Sequence, residues 1–122
     1  YPAFSEDRLS ISGGDIEVTD RAATPVALVF HELATNSMKY GALSSDEGHV
    51  DLVIARDGEM ITFKWSESGG PAIPAPPAHS GFGSKLVEMS VTQQLGGSIE
   101  RHWLSAGLQI NMAVQASRMT GS

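Results

Sequence analysis

The sequence has no cysteine among its 122 residues, which excludes a disulfide framework and thiolate metal sites and is typical of a reducing compartment. No apolar run approaches the ~20 residues of a membrane span, and the first residues lack a signal-peptide pattern. Basic residues are scarce, with 8 Lys and Arg against 14 Asp and Glu and a net charge of −6. We therefore expect a cytoplasmic domain that binds neither membrane nor nucleic acid, although backbone N–H groups can still hold one anionic ligand.

A chain of this length fits one domain, so residues 1–122 are expected to share one core. Apolar and polar residues alternate in short segments, which predicts strands. Gly13-Gly14 separates the first two segments, as a hairpin or two edge strands, and Asp57-Gly58 is a turn signal between the next two. The segments hold Leu9 and Ile11; Ile16 and Val18; Val50, Leu52 and Ile54; Ile61, Phe63, Trp65 and Glu67; residues 98–103; and residues 108–114.

Two helices are predicted by apolar residues spaced three and four apart. The first has Thr24 as N-cap, Pro25 at the first helical position and Gly41 as C-cap. The second runs from about Gly83-Ser84 to Gly96-Gly97, after a Pro- and Gly-rich loop at 68–83 that is long enough to act as a lid. This order predicts an α+β fold, a two-layer α/β sandwich in which helices cover one face of a mixed, mostly antiparallel sheet.

Three polar residues of the first helix, Glu32, Asn36 and Lys39, lie within about 60° of one another on a helical wheel. Glu and Asn supply oxygen ligands for Mg²⁺, and Lys supplies a charge for phosphate. A solvated helix flank explains the same pattern, and from this helix alone it is the stronger explanation. His31 points about 100° away from Glu32, where a structural role is more common than a catalytic one.

Two later segments combine polar groups with glycines. Glu67 ends a strand just before Gly69-Gly70, where its carboxylate would accept a hydrogen bond from a purine amine and the glycines would let a flat ring approach. Gly81-Phe82-Gly83 comes just before a helix, whose N-terminal N–H groups favour an anion. Each signal alone is weak, but a metal-type helix, a carboxylate, a lid and a phosphate-type helix start in this order indicate nucleotide binding.

Together these motifs resemble the Bergerat-fold ATPases, which include histidine kinases, gyrases, mismatch-repair ATPases and a chaperone family. Glu32-x-x-x-Asn36-x-x-Lys39-Tyr40 is similar to the N box of that family, and Gly81-Phe82-Gly83 to its G2 box. Glu67-Ser68-Gly69-Gly70 is similar to the G1 box, with Glu in place of the usual Asp. His31 and Trp65-x-Glu67 further resemble the HWE branch of the sensor histidine kinases.

The resemblance implies a catalytic domain that binds ATP with Mg²⁺. Asn36 would coordinate the metal, with Glu32 beside it as a second catalytic residue. Glu67 would accept a hydrogen bond from the adenine amino group, and Gly69 would give the base room. The other implied nucleotide contacts are Lys39, Tyr40, Ile73, Gly81, Gly83, Ser84, Lys85 and Leu86. The roles of His31 and Trp65 stay open, since Trp65 shares its strand face with apolar residues and could simply belong to the core.

The implied reaction is phosphoryl transfer, in which the domain positions the ATP γ-phosphate and neutralises its developing charge. The acceptor would be a histidine on an upstream dimerisation segment of the same protein. That segment and a sensor domain are expected to lie outside this chain, and a response regulator receiver domain would act downstream. None of the four histidines lies in the acceptor pattern of the family: His31, His49, His79 and His102. We therefore expect the isolated domain to bind ATP but hardly to autophosphorylate.

Three other functions are compatible with the fold. A Bergerat-fold hydrolase would use Glu32 to activate water, which a steady-state ATPase assay would reveal. An anti-sigma-type protein kinase would phosphorylate a protein partner, but His31 and Trp65-x-Glu67 favour the HWE branch. A non-catalytic interaction module is disfavoured by the intact set of Glu32, Asn36, Glu67 and Gly83.

Overall fold

The computed structural model describes residues 8–14, 16–70 and 82–121, and within them it shows one sheet with the strand order β1-β2-β3-β5-β4. The strands are β1 Leu9–Gly13, β2 His49–Asp57, β3 Met60–Ser68, β4 Ser98–Leu104 and β5 Gly107–Gln115. The helices are α1 Asp20–Lys39, α2 Phe82–Met89 and α3 Ala116–Thr120, with a 3₁₀ turn at Ala42–Ser44 and a π-helical turn at Ser90–Gln94.

The sheet is mixed and mostly antiparallel, as predicted. β2 with β3, β3 with β5 and β4 with β5 are antiparallel pairs, whereas β1 pairs with β2 in parallel. A parallel pair requires a crossover connection, and α1 provides it between these two strands. The turn between β2 and β3 is tight, and Gly58 takes a φ of +61° there, which few other residues adopt.

One face of the sheet packs against the helices. Ile61, Phe63 and Trp65 point to this face of β3, as their period-two spacing predicts, and each is almost fully buried. The helices contribute apolar side chains to the same core, among them Val29 and Leu33 of α1. The two-layer α+β sandwich is therefore confirmed.

The start of α1 was predicted wrongly. Thr19 is the N-cap instead of Thr24, and its hydroxyl accepts a hydrogen bond from the N–H of Ala22 at 3.2 Å. Pro25 lies inside the helix, where its ring removes one backbone hydrogen bond. The extra turn buries Ala22, and the N–H of Thr19 donates to the Met119 carbonyl at the end of α3. These tertiary contacts offset the local preference of proline for a helix start.

The first predicted strand pair is also corrected. Leu9–Gly13 is a strand at the sheet edge, but Ile16 and Val18 lie outside any strand. Gly13 ends β1 with a φ of +114°, and a Cβ there would lie 1.8 Å from the Ile54 carbonyl oxygen. The chain leaves the sheet beyond this close contact, so no hairpin forms.

The other helix ends differ from prediction in smaller ways. α1 ends at Lys39 with Tyr40 as C-cap, while the N–H of Gly41 still donates to the carbonyls of Asn36 and Ser37. α2 begins at Phe82, close to its predicted start, but changes to the π-helical turn before Gly96. The short helix α3 was not predicted, because five residues are too few to show a helical period.

Candidate nucleotide-binding site

The C-terminal end of α1 meets the end of β3 at the Glu67 carboxylate. Glu67 is only 5% exposed, and each of its two oxygens accepts one hydrogen bond. The backbone N–H of Ala42 donates to Oε1 at 2.8 Å, and the indole Nε1–H of Trp65 donates to Oε2 at 3.0 Å. A buried carboxylate needs such donors, because leaving one unpaired in a low-dielectric interior costs several kcal/mol, by order of magnitude.

Glycine at position 41 is what lets the carboxylate reach this place. A Cβ on Gly41 would lie 2.1 Å from Glu67 Oε1 and 3.2 Å from Ser37 Cα. The φ of Gly41 is −108°, which other residues adopt, so close approach rather than backbone conformation demands glycine. The Ser37 hydroxyl, itself buried, accepts a hydrogen bond from the N–H of Leu43 and fixes the turn that follows.

Gly69 and Gly70 of the predicted G1 box pack against the segment after α1. Gly69 has a φ of +73°, and a Cβ there would lie 2.5 Å from the Glu47 carbonyl oxygen. A Cβ on Gly70 would lie 2.4 Å from Ala42 Cα. These glycines therefore join the end of β3 to the 3₁₀ turn, which is a local reason for glycine besides the predicted one of giving a base room.

The polar stripe lies in the C-terminal half of α1, the helix that leads into the Gly41 turn. Glu32 and Asn36 are half-buried, whereas Lys39 and Tyr40 are exposed, Tyr40 by 70%. Within the described parts of the chain, the side chains of Glu32, Asn36 and Lys39 form no hydrogen bond or ion pair. His31 is exposed on a different side of the helix. The stripe is thus built of polar groups that are free to bind something else.

The third motif is described only in part. Gly83 and Ser84 belong to the first turn of α2, Lys85 is exposed and Leu86 is half-buried. Helix α2 packs against α1, so the helix start and the polar stripe belong to neighbouring elements. Gly81, Ile73 and most of the predicted lid lie outside the described residues.

A cavity of about 500 Å³ lies elsewhere, at the N-terminal end of α1, lined among others by Thr19, Arg21, Gln93 and Arg118. It is separated from Asn36 by about 25 Å along the helix, at 1.5 Å per residue. In the chain as far as it is described, no cluster of three or more His, Asp or Glu side chains could hold a metal by itself. Any metal at the stripe would therefore need ligands from elsewhere, such as phosphate oxygens.

Three participants were missed by sequence reasoning: Gly41 as a site residue, the N–H of Ala42, and Trp65 as a donor to Glu67. Gly41 was considered only as a helix cap, and a backbone N–H carries no sequence signal. Trp65 was detectable, because residues two apart on a strand point the same way and a buried indole needs an acceptor.

Comparison with known proteins defines the class. No family model matches the chain. Blue-light-activated histidine kinase 1 of Erythrobacter litoralis is 39% identical over 110 residues, which are 88% of this chain and 30% of that protein. The blue-light-activated histidine kinase of Brucella ovis is 33% identical over 110 residues, 87% of this chain and 22% of its own. The chain thus spans less than a third of the curated relatives it matches.

Solved structures agree on the fold. The histidine kinase domain of the E. litoralis blue-light activated histidine kinase superimposes with a TM-score of 0.75 at 22% identity, covering 91% of this chain and 52% of that one. The nucleotide-free catalytic domain of histidine kinase ThkA gives a TM-score of 0.66 at 16% identity, and the match covers 88% of this chain and 77% of that one.

The fold is that of a histidine kinase catalytic domain. Its sequence relationship to one part of the blue-light-activated histidine kinases places the chain with the catalytic domains of that family, and His31 and Trp65-x-Glu67 agree with the HWE type. In the described residues no helix is both long and apolar enough to span a bilayer.

Proposed function

We propose that the chain is the ATP-binding catalytic domain of a two-component sensor histidine kinase and delivers the ATP γ-phosphate to a histidine on an upstream segment. The observation that carries the proposal is the Glu67 carboxylate, buried where α1 meets β3 and held by two donors. Each carboxylate oxygen has two lone pairs, so one on each remains for a further donor. The adenine amino group is such a donor.

The polar stripe on α1 would bind the phosphates. Asn36 and Glu32 offer oxygen atoms of the type that Mg²⁺ prefers, and they have no partner within the described residues. Asn36 would hold a Mg²⁺ ion, whose charge would offset that of the phosphate oxygens, with Glu32 positioned beside it. Lys39 and Lys85, both exposed, would add positive charge, and the first turn of α2 would offer backbone N–H groups.

The chain's own residues would contribute position and electrostatics rather than covalent chemistry. Glu67 would fix the base, and the α1 stripe would fix the phosphate end in line with an incoming histidine. The phosphoacceptor segment and a response regulator are the proposed partners, acting in the cytoplasm of a bacterium.

Calorimetric titration with a slowly hydrolysed ATP analogue, with and without Mg²⁺, tests the nucleotide site. Asn36→Ala should lower the Mg²⁺-dependent affinity by about 10-fold or more, because the metal loses a protein ligand. Asn111→Ala is the matched control, since Asn111 is also half-buried but lies on β5. No binding by the wild-type chain at millimolar nucleotide would overturn the proposal.

Autophosphorylation distinguishes this function from its neighbours. The chain alone should give almost no phosphohistidine, whereas a longer chain with the acceptor segment should give it in the presence of ATP. If the wild-type chain instead hydrolyses ATP in the steady state, and Glu32→Gln abolishes that activity, a hydrolase is favoured.

A further inference from the structure

Trp65 differs from its neighbours on β3 in having a polar atom inside the core. Ile61 and Phe63 share its face and are purely apolar, and all three are 5% exposed or less. The indole N–H of Trp65 points at Glu67 Oε2, 3.0 Å away. A buried indole requires an acceptor, but a hydroxyl or a carbonyl would satisfy it without burying a charge.

The carboxylate is the unusual partner in this pair. Among the described residues, the buried polar side chains are Ser37, Glu67 and Ser90, and Glu67 alone of these is ionisable. A buried carboxylate is retained at a cost in desolvation, which points to a use for it other than satisfying an indole. The direction of dependence is therefore from Glu67 to Trp65: the carboxylate needs the donor.

The two donors fix the carboxylate in different ways. Ala42 N–H holds Oε1 from the α1 side, and Trp65 Nε1–H holds Oε2 from within the strand. Because each oxygen accepts one hydrogen bond, rotation of the carboxylate about the Cγ–Cδ bond would break at least one of these two hydrogen bonds. Both donors also require the group to remain an acceptor, which is what an incoming amine needs.

Trp65 also accounts for glutamate at this position. An aspartate carboxylate would sit one methylene, about 1.5 Å, closer to the β3 backbone. It could not keep a bond of 2.8 Å to Ala42 N and one of 3.0 Å to Trp65 Nε1 together. The ring is in turn held by α1, since the Phe30 and Trp65 ring centroids are 6.4 Å apart.

We propose that Trp65 is a positioning residue that makes the site selective for a 6-amino purine, acting through the indole N–H that orients Glu67. The inference rests on the proposed function, because it assumes that the base binds at Glu67. It deepens that function by assigning base selectivity to a side chain that does not itself touch the nucleotide.

The test compares ATP with purine riboside 5′-triphosphate, which lacks the 6-amino group, in calorimetric titrations with Mg²⁺. The wild-type chain should prefer ATP by about 10-fold or more. Trp65→Phe keeps an aromatic ring but removes the N–H, so ATP affinity should fall about 10-fold while the affinity for the analogue is unchanged. Trp103→Phe, a half-buried tryptophan on β4, is the matched control and should keep the preference.

Trp65→Phe leaves space in the core and can lower stability for that reason alone. A second variant therefore places β-(3-benzothienyl)alanine at position 65 in the Trp103→Phe background. This side chain keeps the indole shape with sulfur in place of N–H, and it should lose the preference as well. The indole proton resonance of Trp65, assigned by its absence in Trp65→Phe, should shift in Glu67→Gln and again when ATP binds.

The outcomes separate the two proposals. ATP selectivity that survives in both Trp65 variants, with the two nucleotides weakened equally or not at all, would reduce Trp65 to a core residue and overturn the inference alone. Absence of ATP binding by the wild-type chain would overturn the proposed function and this inference with it. Selectivity lost in both Trp65 variants and kept in Trp103→Phe supports them together.

Discussion

The two halves of the candidate site are built in opposite ways. In the half around Glu67, the residue is 5% exposed and two donors hold its carboxylate. The carboxylate lies so close to Gly41 that a Cβ on that residue would clash with it. In the half along α1, Glu32 and Asn36 are half-buried and Lys39 is exposed, and none of the three has a side-chain partner within the described residues. The Glu67 half, where we propose that the base binds (the base half), is fixed by the fold itself. The α1 half, where we propose that the phosphates bind (the phosphate half), keeps polar side chains without partners in the described residues.

The proposed nucleotide gives this difference a physical reason. A purine is flat and nearly neutral, so a fixed acceptor and a close-fitting backbone are enough to recognise it. Phosphates bring charge and a hydrated metal ion, and groups that already paired with each other would have to be separated first. Changes in the base half should therefore alter stability and binding together, while changes in the phosphate half should alter binding alone.

The largest effect is expected for Glu67→Ala. It leaves the N–H groups of Trp65 and Ala42 without acceptors inside the core, so the free energy of unfolding should fall by about 2 kcal/mol. ATP binding should become undetectable at the same time. Urea denaturation measures the free energy of unfolding, and calorimetric titration of the folded chain with ATP measures binding.

Glu59→Ala, which removes an exposed carboxylate from the turn between β2 and β3, is the control and should change neither quantity. A Glu67→Ala chain that is as stable as the wild type would contradict the idea that the fold itself holds the base half. If Glu67→Ala abolished ATP binding without changing stability, changes in both halves would affect binding alone, and the two halves would not differ in this respect.

An intermediate effect is expected for Gly41→Ala, which adds one methyl group 2.1 Å from Glu67 Oε1. The clash should displace the carboxylate, cost about 1–3 kcal/mol of stability and weaken ATP binding. Gly14→Ala is the control, because nothing lies within 4 Å of a Cβ at Gly14.

A double variant sharpens this result. Glu67→Asp withdraws the carboxylate by one methylene and should relieve the clash, so Gly41→Ala with Glu67→Asp should cost less stability than the sum of the two single changes. Strict additivity in urea denaturation would mean that the methyl group and the carboxylate do not meet.

The sequence was sufficient for the parts of the site that depend on local pattern. Period-two spacing placed Trp65 and Glu67 on the buried face of β3, and helical spacing placed Glu32 beside Asn36 on one flank of α1. Both follow from the geometry of a single element, so no knowledge of neighbouring elements was required.

What the sequence did not reveal depends on contacts between elements. Ala42 reaches Glu67 across 25 positions of chain, and its backbone N–H is common to every residue type. Thr19 and Thr24 are equivalent as N-caps by local chemistry, and Thr24 has the better neighbour in Pro25. The choice of Thr19 was made by burial of Ala22 and by the Met119 carbonyl, which belongs to a helix too short to predict.

The smallest effect is expected for Lys39→Met, which keeps the length of the side chain and removes only its charge. Lys39 is exposed and unpaired within the described parts of α1, so stability should change by at most a few tenths of a kcal/mol, from the lost interaction with the helix dipole. ATP affinity should fall about 3- to 10-fold at low salt, and the difference should shrink as salt rises, because a lysine acts on phosphate as a screened point charge. Lys64→Met, at a position that is also exposed but lies on the sheet face away from the helices, should bind ATP like the wild type at every salt concentration. An equal loss of ATP affinity in both variants would mean that the overall charge of the chain, rather than the α1 stripe, attracts the phosphates. The phosphate half would then have no electrostatic role of its own.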